Sequence, residues 1–157
     1  MLTRLSSLLL ALLLCACSAQ VGNNGQSDSV NTGTKEQQEQ VLAAAKSVAT
    51  MIDAGRYSDS WKLVAPLLQA QTTQQDWASY IATLRTPLGT RGSSKLLGYG
   101  FPTKMAGAPA GQYGIIGLET DFANAKSVDE KYVFQRVGNE WKLAGYWLSK
   151  KFTVGAN

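Results

Sequence analysis

The sequence predicts an α+β domain in which three helices pack on a curved antiparallel meander of four strands. Three observations predict it. Apolar residues recur at three- and four-residue spacing between residues 35 and 88, then give way to strand-like runs beyond residue 96. Gly138-Asn139 separates two of those runs at the two-residue spacing of a tight hairpin. The order, helices first and strands afterwards, opposes a parallel sheet with interleaved helices.

The elements follow in order. Val41, Ala45, Val48 and Ile52 lie on one side of an Ala-rich first helix that starts at Lys35 and stops at Asp53-Ala54-Gly55, where Gly55 suits a left-handed cap. A second, shorter helical piece, Tyr57 to Val64, puts Tyr57, Trp61 and Val64 on one side before Pro66 breaks it. Thr73 stands three residues before Asp76, a relative of the capping box. Trp77, Ile81, Leu84 and Leu88 then mark a third helix closed by Pro87 and Gly89. Strand-like runs occupy Leu96–Phe101, Tyr113–Phe122, Val128–Val137 and Glu140–Ser149, with a Gly/Pro/Ala-rich connection over 102–111. In the last run, alternation groups Trp141, Leu143, Gly145 and Trp147 on one face and Lys142, Ala144, Tyr146 and Leu148 on the other. Residues 35–152 form one domain, and Trp61, Trp77, Trp141 and Trp147 read as core.

Composition excludes several chemistries. The 157 residues contain no histidine, and the cysteines, Cys15 and Cys17, sit two residues apart at the end of an apolar run. A His-dependent triad, a Cys/His metal site and a disulfide within the folded domain are therefore not expected, nor is any cofactor. A net charge of +4 is too small to argue for a nucleic-acid partner.

The chain opens with Arg4 followed by an unbroken apolar stretch from Leu8 to Leu14, too short for a comfortable membrane span and patterned as an export signal. Leu14-Cys15-Ala16-Cys17 resembles the lipobox of bacterial lipoproteins. That resemblance implies removal of residues 1–16, diacylation of Cys17 and anchorage in a lipid bilayer. Ser18 stands where an aspartate would signal inner-membrane retention in that family, so an outer-membrane lipoprotein facing the periplasm is expected. Residues 17–34, rich in Ser, Asn, Gln and Gly, read as the lipidated cysteine and a flexible tether, and residues 153–157 as a tail.

Four segments carry a further resemblance: Asp53-Ala54-Gly55-x-Tyr57-x-x-Ser60-Trp61, Arg85-x-Pro87-Leu88-Gly89, Thr120-Asp121-Phe122-Ala123-Asn124 and Trp141-Lys142-x-Ala144-Gly145-Tyr146. Together they are similar to the bacterial domain-of-unknown-function family 4019, which brings no established activity. The broader layout resembles the nuclear-transport-factor-like or cystatin-like rolls. That fold hosts enzymes, small-ligand binders and interaction modules alike, so fold likeness selects no function.

An enzyme of that class would use acids and tyrosines turned into a cone, which makes Tyr57, Asp76, Tyr80, Tyr99, Tyr113, Glu119, Asp121, Tyr132 and Tyr146 the groups to follow. Asp121, after the apolar run 115–118, is the best acid; desolvation there would raise its pKa and suit it to act as a base, whereas Asp-x-x-Asn at a strand end is also an ordinary turn cap. Arg85 could meet an anionic ligand or neutralise the carbonyl end of its helix. The sequence points to a noncatalytic interaction or ligand-binding module. A small ligand would enter near Tyr99, Tyr113 and Asp121, and the partner would be an envelope protein or a small apolar molecule. The alternative is a cofactor-free enzyme using Asp121 with tyrosines.

Overall fold

Thr34 starts the first helix by accepting the amide of Gln37 while the Gln37 side chain accepts the amide of Thr34, a reciprocal cap that satisfies two free N–H groups. The computed structural model describes residues 31–150; the expected export signal, the expected lipidation site at Cys17 and the expected tail at 153–157 lie outside them. The helix, α1 (Lys35–Asp53), buries Val41, Ala45, Val48 and Ile52, the four residues its periodicity selects. The chain ahead of it is stitched to the domain. Asn31 accepts the Phe101 amide at 2.7 Å and returns a side-chain bond to the Phe101 carbonyl, and Gly33 lies against the Phe101 ring. The last four residues of the expected tether are thus in contact with the domain.

The piece expected over Tyr57 to Val64 is a 3-10 turn, Asp59–Leu63, and Pro66 opens a short helix, α2 (Pro66–Gln69), instead of only ending one. A proline at the first helical position gives up an N–H that has no partner there anyway. Thr73 caps α3 (Gln74–Arg85) by accepting the Asp76 amide, and Leu88 falls in a separate 3-10 turn, Thr86–Leu88.

Four strands follow: β1 (Arg91–Gly100), β2 (Tyr113–Phe122), β3 (Ala125–Val137) and β4 (Glu140–Lys150). They pair antiparallel in the order β1-β2-β3-β4, an open sheet. Gly138-Asn139 makes the tight turn, with Val137 opposite Glu140 and Arg136 opposite Trp141, and Gly138 has φ +58°. β1 begins five residues before the apolar run that announces it, because Arg91 to Lys95 carry no hydrophobic pattern on an edge strand open to water.

The alternation read into β4 fails at one residue. Val133 pairs with Gly145 and Phe134 with Leu143, so Ala144 is an extra residue in the strand. Beyond it the faces exchange: Tyr146 joins Leu143 in the core, while Trp147 turns to the outer face and is 45% exposed. Trp147 is therefore not a core residue. Trp77 is buried, and Trp61 and Trp141 are half-buried against the core. The core lies between α1 and the inner face of the sheet, where Ile116, Tyr132, Phe134, Leu143 and Tyr146 meet the α1 stripe.

Candidate functional site

On β3 the residues Val128, Glu130, Tyr132 and Phe134 all point inward, which takes a carboxylate into the core. Glu130 has no exposed side-chain surface and accepts five hydrogen bonds: two from the Arg91 guanidinium (2.7 and 2.6 Å) and one each from Thr120 (2.8 Å), Tyr132 (2.8 Å) and Tyr146 (2.6 Å). Burial by itself raises the Glu130 pKa. The hydrogen bonds and charge of Arg91, with the Tyr146 and Tyr132 hydroxyls, outweigh it and hold the carboxyl below its usual range. Burial lowers the Arg91 pKa, but the Glu130 bond and the charges around it raise it overall. Tyr132 and Tyr146 are pushed up, first by burial and then by the neighbouring negative charge. All four groups hold one protonation state around neutral pH: Glu130 ionised, both phenols protonated and Arg91 charged.

The network runs on to the ends of two helices. Arg91 Nε donates to Asp53 Oδ2 at 2.7 Å, and Arg85 Nη2 donates to Asp53 Oδ1. Asp53 closes α1 and Arg85 closes α3, so one carboxylate and two guanidiniums join both helix termini to the start of β1. Arg85 lies 4.2 Å over the Phe122 ring and is 4% exposed, with Nε and Nη1 lacking acceptors. Above these groups opens a polar cleft of about 550 Å³ lined by Asp53, Tyr57, Arg85, Thr86, Thr90 and Arg91, among others. Because α1 spans about 28 Å at 1.5 Å per residue, the cleft lies at the opposite end of the domain from Asn31.

Tyr99, Tyr113 and Asp121 are not brought together. Tyr99 lies on the inner face, stacked with Phe101. Tyr113 lies on the other face, its hydroxyl donating to the Pro109 carbonyl at 2.7 Å. Asp121 is at the far end of β2, where it accepts the Ser127 amide at 3.0 Å and lies 3.9 Å from Lys126. Of the other groups followed from the sequence, Asp76 accepts the hydroxyl of the Thr73 cap of α3, Tyr80 donates to the Tyr146 carbonyl, Tyr57 lines the cleft, and Tyr132 and Tyr146 bind Glu130. Glu119 faces outward between Lys95 and Asp129 in register. Among the described residues no cluster of three His, Cys, Asp or Glu side chains could hold a metal, and no helix is long and apolar enough to cross a membrane.

Arg91 and Glu130 went unnoticed in the sequence. Glu130 had a legible signal, its shared parity with Val128, Tyr132 and Phe134; Arg91, in a Gly/Ser-rich stretch, had none. The outer sheet face carries a second feature, a groove of about 490 Å³ between Leu97 (50% exposed) and Trp147, across Ile115 and Gly117. Lys131 Nζ lies 5.0 Å above the Trp147 ring.

The family described as "Protein of unknown function (DUF4019)" matches residues 44–146. The chain belongs to this family. No curated protein and no solved structure matches it. All four segments that carry the DUF4019 resemblance in the sequence contribute to the network, with Asp53 from the first, Arg85 from the second, Thr120 and Phe122 from the third and Tyr146 from the fourth, while Tyr57 and Gly89 line its cleft. In this DUF4019 chain Asn124 completes the arrangement, its amide and side chain bonding the Leu88 and Pro87 carbonyls behind the cleft.

Proposed function

We propose that the protein is a noncatalytic binding module of the cell envelope, anchored in the outer membrane through acylated Cys17 and presenting its far end to the periplasm. The observation that carries the reading is the commitment of its acids. Glu130 is saturated with hydrogen bonds and held ionised, Asp53 bridges two arginines, and Asp121 caps a turn. General acid–base catalysis needs a group free to exchange a proton with substrate, whereas Glu130 is buried and held ionised, and the Asp53 and Asp121 side chains are engaged in bonds that hold the fold together. The long first helix laid over a bulged meander supports a nuclear-transport-factor-like or cystatin-like roll, with the concave side filled by α1. A polar cleft remote from residue 31 and an exposed Leu97/Trp147 strip are surfaces for a ligand and for an envelope partner.

Metabolic labelling with a fatty acid, intact-mass analysis and membrane fractionation test the anchor: acylation on Cys17 and recovery with the outer membrane are expected, and Cys17→Ser abolishes both. An unacylated chain in the wild type overturns it. Turnover by the purified protein that disappears with Asp121→Asn while the fold is intact would replace the binding reading with the enzymatic one.

A further inference from the structure

The cleft between the ends of α1 and α3 offers more hydrogen-bonding capacity than the protein uses. The hydroxyls of Tyr57, Thr86 and Thr90 bond to no other described residue, and both threonines are exposed. Asp53, with its side chain 28% exposed, accepts one bond on each carboxylate oxygen and so keeps acceptor capacity on both. Beneath them Arg85 Nε and Nη1 lack acceptors but are closed off from water, so a ligand meets Arg85 as the charged floor of the cleft.

Charge decides what kind of oxygen. Arg85 and Arg91 are matched by Asp53 and Glu130, and both α1 and α3 present their carbonyl ends here. An anion entering the cleft meets Asp53 and the negative ends of two helices; a cation meets two guanidiniums. An uncharged ligand rich in hydroxyls meets neither penalty and can both donate to Asp53 and accept from Thr86 and Thr90. Tyr57 adds an apolar ring carrying one more hydroxyl. About 550 Å³ in an open cleft accommodates one or two sugar rings.

We propose that this cleft binds a neutral saccharide unit, recognised by Asp53, Tyr57, Thr86 and Thr90 over the Arg85 floor. The proposal rests on the binding-module reading and names its ligand class.

The test is amide and arginine Nε–H shift mapping of the purified full chain in a sugar-free detergent, titrated separately with maltose, N,N′-diacetylchitobiose, succinate and inorganic phosphate. One of the two sugars is expected to shift the Arg85 Nε–H and the amides of residues 53–57 and 86–91. Thr86→Val and Thr90→Val, both at exposed positions, should each weaken binding about 2- to 10-fold, the effect of one lost hydrogen bond. Stronger shifts with succinate or phosphate overturn the proposal in favour of an anion site while leaving a binding module in place. Silence at the cleft with both sugars also overturns it. Sugar binding that neither threonine variant weakens assigns the sugar to another surface. Asp121-dependent turnover would overturn the underlying reading, a result none of the binding arms can mimic.

Discussion

A carboxylate with no exposed surface has to find its hydrogen bonds inside the protein, and Glu130 finds five. Its dependence on Arg91 is testable. Arg91→Met leaves a buried charge without its counter-ion and should cost about 3–5 kcal/mol in urea unfolding. Adding Glu130→Gln removes the stranded charge, so the double variant should be more stable than Arg91→Met alone; simple addition of the two losses would show that the pair is not coupled. The same residue sets an acid limit. Because the folded-state pKa of Glu130 lies below its ordinary value of 4.5, its contribution is complete above that value and is lost progressively as pH falls toward the folded-state pKa. Urea midpoints measured against pH should therefore fall on the acid side in the wild type, with a shallower fall in Glu130→Gln. Parallel curves would remove Glu130 from the acid response. Glu130 was present in the sequence as a charged residue at a core-facing parity position, but residue type outweighed parity, because acids are almost never fully buried unless paired and the partner, Arg91, lies 39 residues away.

At the level of elements, legibility followed how far each signal is local. The α1 stripe and the Gly138-Asn139 turn depend on neighbours within one helix or one hairpin, and both were readable. The Ala144 bulge depends on how β4 meets β3, leaves no mark in composition, and reversed the faces of Tyr146 and Trp147. The polar start of β1 was hidden for a related reason, since an edge strand needs no apolar alternation to pair with β2. Close approach of α1 to the sheet makes a further prediction. A Cβ at Gly114 would come within 2.5 Å of Val41 Cγ2, at a fully buried point of the helix stripe, and Val41 has no flexible end to move aside. Gly114→Ala should displace α1 and cost about 1–3 kcal/mol, as overpacking does. For Gly145→Ala the nearest atoms are the outer end of the exposed Trp147 ring, so it should move the indole, alter tryptophan emission and leave the unfolding midpoint nearly unchanged. Equal losses at both glycines would mean that β4, like β2, is pinned by its packing.

For the molecule as a whole, the arrangement of its two ends matters most. The cleft closes one end of α1, and residues 31–34 close the other, where Asn31 bonds Phe101 and Gly33 rests on the Phe101 ring with φ +73°. This junction sets where the preceding chain departs and so, on the anchored reading proposed above, which end faces away from the membrane. Gly33→Ala attacks it in two ways. A left-handed conformation costs an L-residue about 1–2 kcal/mol, and the new Cβ would overlap the Phe101 ring at 2.3 Å. The ring cannot retreat easily, because it belongs to the core and packs edge-on against Trp141. The junction should therefore release before the core does. Hydrogen exchange can separate the two: the Phe101 amide, bonded to the Asn31 carbonyl at 2.7 Å, should exchange faster in Gly33→Ala, while the amides of β3 keep their protection. Unchanged exchange at Phe101 would mean that Gly33 does not hold the junction closed. Faster exchange throughout β3 would mean that residues 31–34 are part of the cooperative core rather than a clasp on its surface.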